Sequence, residues 1–291
     1  MMKRMVSLAM LFILLSTTAC VPWTAQEDPG SGIPVEEGTV PRTVFSGFIG
    51  EVNGVTYHVP TIPKKSFWTG EEQSYRIPTC EPFPILPNEG LVISSFCYYD
   101  GYVYYIEAED KPQKFDTYLY RCKTDWTDVE LVDEMIYNPE DEESEFWWDF
   151  SSRFFVIHDG NLYYSESMAD IGKVFAIDLS TLERFPTEPI FFTAKERESY
   201  PNPLEYPVCV YNDMVFYQDS YKLHLETPLQ DVLLMDNSAK PIGYANGYLY
   251  CSFPSKILPD TTILCRVPVQ GGKKEYLAVR KNAQNGDCFF Y

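Results

Sequence analysis

The sequence predicts an all-β domain, a β-propeller of about five to six four-stranded blades, behind a cleaved leader and a flexible tether. Three observations lead there. Turn dipeptides recur along the chain, and runs that alternate apolar and polar residues follow them. Aromatic residues make up 16% of the composition, an enrichment that favours pleated strands over helices.

Residues 1–19 read as a secretory signal. Lys3 and Arg4 give a short positive start, and residues 5–15 (MVSLAMLFILL) are apolar apart from Ser7. That run has the length of a signal's apolar region and is too short for a spanning helix of about 20 residues. Small residues 16–19 (STTA) lead directly to Cys20. This junction resembles the bacterial lipobox, in which a small residue precedes a cysteine that is lipidated before cleavage. Ala19 and Cys20 match the pattern, while Thr17 stands where leucine is usual. The resemblance implies lipid on Cys20 and anchorage to the cell membrane on its extracytoplasmic face. Two or more acyl chains hold stably, each buried methylene contributing about 0.8 kcal/mol. Ordinary secretion and an uncleaved anchor are the competing readings. Residues 20–42, rich in Pro, Gly and acids, read as a tether.

From Thr43 the texture changes to short apolar runs divided by turns. Asn53-Gly54 precedes VTYHV, Asp100-Gly101 precedes YVYYI, and Asp159-Gly160 precedes NLYYS. Asn212-Asp213 precedes MVFYQ, Asn246-Gly247 precedes YLYCS, and Asn285-Gly286 precedes DCFFY. Asn-Gly and Asp-Gly tolerate the positive φ of tight hairpin turns, so each marks the entry to a strand. Their spacing of 34 to 59 residues is close to a propeller-blade period with loop insertions. A second strand-like run follows each of the first five: SYRIP (74–78), TYLYRCKT (117–124), KVFAIDLS (173–180), YKLHLET (221–227) and TILCRVPV (262–269). Four of these lead through a turn into VELV, RF, VLLM and EYLAV. Strand, turn, strand, loop, strand, turn, strand is the plan of a propeller blade. The ring would close if residues 43–52 paired with the last strand. An irregular β-sandwich with similar turns is the competing fold.

The run from Asp100 to Val132 holds D-G-Y-V-Y-Y, then Y-L-Y-R, then T-D-W-T-D. It resembles the propeller-like repeats of uncharacterised Gram-positive lipoproteins and secreted proteins. Those repeats are similar in turn to the YWTD propellers of the low-density-lipoprotein receptor family. The likeness covers roughly residues 45–291 and is loose. YWTD itself does not occur, and residues 175–178 and 223–225 lack the arginine found at Arg121 and Arg266. It implies a fold and supplies no catalytic residues.

The formal charge is -19, and loss of Lys3 and Arg4 with the leader makes the remainder more acidic still. Such a surface repels nucleic acid and anionic lipid head groups. Besides Cys20 there are seven cysteines without a CxxC pair, which does not point to zinc. Most lie in strand-like runs, where a thiol acts as a small hydrophobe. Cys251 and Cys265 could face each other across one hairpin, as thiols or as a disulfide.

Candidate chemistry is thin. The acidic loop at 139–149 carries Asp141, Glu143 and Asp149 beside Trp147 and Trp148. It reads as a solvated insertion whose tryptophans join the core, as a sugar platform, or as a calcium site of no EF-hand spacing. His58, His158 and His224 fall in different units and would need to converge to bind metal. The tyrosine ladders read as packing between blades. No GxSxG elbow or Ser-His-Asp order is present, and no cofactor is implied. The expected function is a membrane-anchored, non-catalytic binding or scaffold module for a surface protein, glycan or small ligand. Its inserts at 60–75, 138–149 and 188–207 offer contact surface, with Trp68, Trp147 and Trp148 as anchors. The alternative is a carbohydrate-active enzyme with two carboxylates facing each other in an aromatic cleft.

Overall fold

The computed structural model describes residues 40–61, 64–65, 72–73, 76–109, 116–135, 154–165, 174–187, 208–219, 222–228, 231–235 and 239–281. All regular structure among them is β, arranged as a curled sheet system. Residues 1–19, expected as a leader, Cys20, Trp68, Asp141, Glu143, Trp147, Trp148, Asp149 and the turn expected at Asn285 lie outside the described residues.

The N-terminal part supplies β1 (Thr43–Phe45), β2 (Ile49–Val52) and β3 (Val55–His58). A small ribbon of β4 (Lys64–Lys65) and β5 (Glu72–Gln73) follows, then β6 (Glu81–Pro82) parallel to β3. Four antiparallel meanders come next. The first is β7 (Leu91–Tyr99), β8 (Tyr102–Glu109), β9 (Thr117–Lys123) and β10 (Glu130–Met135). The second is β11 (Val156–His158), β12 (Asn161–Ser165), β13 (Val174–Asp178) and β14 (Arg184–Thr187). The third is β15 (Val208–Tyr211), β16 (Met214–Asp219), β17 (Lys222–Glu226) and β18 (Asp231–Met235). The fourth is β19 (Lys240–Ala245), β20 (Tyr248–Pro254), β21 (Thr261–Pro268) and β22 (Glu275–Lys281).

These strands match the sequence pattern closely. Asn53, Asp100, Asp159, Asn212 and Asn246 all take φ between 45° and 52°, as tight hairpins with the sheet's own twist require. Strand β17 alternates exposed and buried residues, the signature of one face on a core. The internal repeat extends to side chains. Tyr104 lies opposite Arg121, which pairs with Glu130 at 2.7 Å; Tyr250 lies opposite Arg266, which pairs with Glu275 at 2.7 Å. In the other two meanders Ala176 faces Tyr163 and Leu225 faces Phe216, so the arginine missing from the sequence pattern is missing at the matching site.

Three expectations need correction. Residues 76–78 of SYRIP are not a strand: Ile77 packs in the core, and the chain turns at Pro78-Thr79. Among the described residues the first unit is therefore not a four-stranded meander but the β2–β3 hairpin with β6 beside it. The third concerns residues 43–52, which do not run beside the last described strand. Strand β1 inserts between β11 and β15, pairing antiparallel with both. Gly47 bridges Phe96 of β7, and β2 lies parallel to β19 at Gly243. One short segment thus touches the first strand of every meander. Glycine permits this closeness: a Cβ on Gly243 would stand 1.9 Å from the Ile49 carbonyl oxygen, and one on Gly47 2.8 Å from that of Ile242. Ser46 is fully buried there, accepting from Phe155 N–H at 2.8 Å and from the Ser95 hydroxyl at 3.1 Å.

Apolar clusters lie between neighbouring meanders. Phe216, Leu225, Leu249 and Cys265 join the third and fourth; Tyr104, Leu119, Ile157 and Leu162 join the first and second. Ile49 and Val52 pack with Phe96, Tyr105, Ile242 and Tyr250, so the hairpin fills the space between the fourth and the first. Tyr104, Tyr105, Tyr164 and Tyr250 are buried in these seams, the packing role expected of the ladders.

Candidate functional site

Three of the five tight turns, at Asp159, Asn212 and Asn246, grip residues 42–56. Asp159 N–H donates to Arg42 O at 3.0 Å, and its carboxylate takes both the Nε–H and an Nη–H of Arg42 at 3.0 Å. Asn212 N–H donates to Thr43 O at 2.7 Å, while Asn212 Oδ1 accepts from Arg42 N–H at 2.8 Å. Asn246 N–H donates to Glu51 Oε2 at 2.7 Å, and its side-chain amide reaches Gly54 O and the Thr56 hydroxyl. The turn residues therefore do two jobs, bending the hairpin and tying down the N-terminal segment.

A cavity of about 300 Å³ opens among the tight turns, at the lower end of the range for ligand pockets. Glu51 and Asp100 line it, with Tyr98, Tyr211, Tyr244, Phe45 and Phe96. Tyr211 and Tyr244 stand with ring centroids 4.5 Å apart. Burial pushes the Tyr244 hydroxyl up to about 12, with Tyr211 and Glu51 adding to the shift. Tyr211 moves up for the same first reason, reinforced by Glu51 and Tyr98. At neutral pH both stay protonated, so the wall offers hydroxyls, carboxylates and ring faces. These groups can bind and orient a ligand.

A hydroxyl–imidazole–carboxylate chain lies nearby. Thr43 Oγ1 is 2.8 Å from His158 Nδ1, and His158 Nε2 is 3.3 Å from Asp159 Oδ2. The order resembles that of a nucleophile relay, but the surroundings differ. Thr43 is only 3% exposed and lies directly across the ladder from His158. Neither residue lines the cavity, and Asp159 is held by Arg42. Burial, the largest influence, depresses the His158 pKa despite Asp159, leaving a neutral ring that ties β1 to β11.

The three histidines do not converge. His58 is buried and its Nδ1 is 2.7 Å from Val59 O, while His224 pairs with Asp231 at 3.0 Å. Among the described residues, no group of three His, Cys, Asp or Glu side chains could hold a metal ion. The six described cysteines are buried free thiols; Cys251 and Cys265 do face each other across β20 and β21, with sulfurs 3.5 Å apart and no disulfide. No described helix is long and apolar enough to cross a membrane. The site residues named from sequence lie outside the described residues, and sequence reasoning passed over Glu51, Tyr98, Tyr211 and Tyr244. Their signal was position: each sits one or two residues before a turn dipeptide, where the first strand of its unit ends.

No family model matches this chain, and no curated protein matches it. Among solved structures it is similar to a chain of a nidogen/laminin complex, at 10% identity and a TM-score of 0.29, covering 81% of this chain and 92% of that one. A variant of the AtxE2 isopeptidase with Astexin3-dC4 bound is similar at 12% identity and a TM-score of 0.28, covering 62% of this chain. The match spans 43% of that isopeptidase chain. Scores this low carry no argument about activity.

Proposed function

We propose that this protein is a lipoprotein anchored through Cys20 to the outside of the cell membrane, and that it acts as a binding module through the cavity among its turns. The cavity carries the reading: its lining combines aromatic, hydroxyl-bearing and acidic residues, and one of the acids, Glu51, is held by Asn246 N–H. A site built on such a scaffold loses little entropy when a ligand orders it. The order of the seams supports a ring in which the four meanders and the β2–β3 hairpin act as five propeller-like blades. In that ring β1 and β2 fill the middle. A ligand would then dock on the turn face rather than in a central channel.

A titration followed by NMR tests the binding reading. Small glycans, amines and divalent ions are the probes, and bound ligand should shift the signals of Tyr98, Tyr211 and Tyr244. A ligand that binds tightly and leaves all three unmoved puts the site elsewhere. The anchor has its own test. Replacing Cys20 with serine should release the protein or leave the precursor uncleaved; processing and retention as before would refute lipidation.

The second reading is a carbohydrate-active enzyme, favoured by Glu51 and Asp100 lining one aromatic cavity as a glycosidase pair would. Turnover separates the two. Hydrolysis of a glycan that is lost in Glu51→Gln would support the enzyme, and binding without hydrolysis would support the module.

A further inference from the structure

We propose that the cavity takes a small organic ammonium ion, held by Glu51 and Asp100 against the rings of Tyr98 and Tyr211 with Tyr244 behind them; this rests on reading the cavity as the ligand site. Three observations on the molecule carry it.

The first is charge. Two carboxylates line the cavity, and no lysine, arginine or histidine is among its described lining residues. Arg42, adjoining the lining residue Pro41, is engaged by both oxygens of Asp159 at 3.0 Å. Asn246 N–H fixes the Glu51 carboxylate at 2.7 Å, so one acid is placed before any ligand arrives.

The second is how the chain treats tyrosines elsewhere. Strand-end rings of the meanders are covered by the protein's own cations. Lys123 Nζ lies 3.9 Å from the centroid of Tyr102, and the Arg266 guanidinium lies 4.2 Å from that of Tyr248. Arg184 covers Phe175 at 4.0 Å. Aromatic faces attract cations in this way through their quadrupole. Among the described residues, no lysine or arginine covers Tyr98, Tyr211 or Tyr244. Tyr244 packs against Tyr211 and Phe216, so Tyr98 and the outer face of Tyr211 are the half-buried ring surfaces that, among the described residues, lie in a lining with two acids and no cation, which leaves the place for an external one.

The third is size and polarity. A volume of about 300 Å³ admits a small molecule and not a folded surface. Phe45 and Phe96 complete the apolar lining, suited to the carbon substituents of an ammonium group. Tyrosine hydroxyls held protonated by burial can bond to a polar tail.

The test is calorimetry on the full-length chain in a polyoxyethylene detergent, which contains neither ammonium nor sugar. The probes are choline, butylammonium, glucose and 3,3-dimethylbutan-1-ol, the uncharged carbon isostere of choline. Choline or butylammonium should bind at least tenfold more tightly than the isostere, and more weakly as salt rises. Whichever of the two is preferred identifies a quaternary or a primary ammonium. The Glu51→Gln, Asp100→Asn double variant should lose at least tenfold. Gln keeps an acceptor for Asn246 N–H, and Asn tolerates the positive φ at 100, so the variant should fold. Equal binding of the isostere, or an unchanged double variant, overturns the ammonium assignment. Binding of glucose alone overturns it too, yet leaves the cavity as a ligand site. No binding by any probe overturns both.

Discussion

Replacing Gly243 with alanine should be among the most damaging small changes in this protein. The added Cβ would sit 1.9 Å from Ile49 O and 2.8 Å from Ile49 C. Both neighbours are backbone, so no side chain can rotate aside. Relief requires β2 to retreat from β19 by about 1 Å, because real Cβ contacts stay above 3.0 Å. That movement strains the parallel pairing at Ile49 and the Phe48 N–H to Ile242 O bond at 2.9 Å. Overpacking costs about 1–3 kcal/mol and loss of one hydrogen bond about 1 kcal/mol. The expected loss is about 2–4 kcal/mol, a large share of a domain's usual ~5–15 kcal/mol. Urea unfolding followed by tyrosine and tryptophan fluorescence measures it. Gly101→Ala is the control: φ is +81° there, but nothing lies within 4 Å of the new Cβ, so only a backbone cost of about 1 kcal/mol applies. If Gly243→Ala costs no more than Gly101→Ala, residues 43–52 are not held against the fourth meander.

Glu107 is 2% exposed, and burial raises its pKa even though Asn88 donates to it at 2.8 Å. Its folded pKa lies above the unfolded one, so the charged form opposes folding at neutral pH, and that penalty fades as pH falls through the folded value. Glu107→Gln should therefore raise stability at pH 7, with the gain shrinking in acid; a loss at pH 7 in urea titrations would refute this. His58 and His158 are both depressed, first by burial. The stability that depends on their neutrality is complete above the unfolded value of about 6.5 and drains away as pH falls below it. Urea midpoints should drop between pH 7.5 and 5.5, and a flat profile would contradict burial of both rings. Burial pushes the thiols of Cys80 and Cys122 up to about 11 and that of Cys209 to about 12. Native protein should consequently react slowly with a thiol reagent at pH 7.5 and rapidly in denaturant, as read by intact mass; fast native labelling of these three would show that the seams open.

Local structure was legible because its causes are local. An Asn-Gly or Asp-Gly pair adopts positive φ for reasons within two residues, and the runs after Gly101 and Gly247 are almost continuously apolar because both faces of β8 and β20 are buried. Asp178 shows the same economy, accepting from Ser180 N–H and Oγ–H at 2.8 and 2.6 Å. The SYRIP run shows the limit. Its alternation resembles a strand's, but Ile77 is buried at a turn, as one apolar side chain reaching a core from irregular chain. Periodicity over five residues does not tell these apart.

The N-terminal segment was misplaced for a deeper reason. Residues 43–52 look like an ordinary strand pair, and nothing local says that β1 separates β11 from β15, over a hundred residues away. Two features did carry the information in retrospect. Gly47, Gly50 and Gly243 interrupt strands that otherwise favour bulky residues, and such glycines mark a close backbone approach; a Cβ on Gly50 would meet the Phe96 ring at 3.0 Å. Ser46 and Thr43 are polar residues in an apolar run, and each is buried with partners on a meander's first strand. This placement also decides where a ligand could act. Strand β1 lies between β11 and β15, and β2 lies between β19 and β3. The acids that share a cavity, Glu51 and Asp100, sit near the end of β2 and in the turn after β7. Any change that loosens β1 or β2 should weaken the cavity along with the fold.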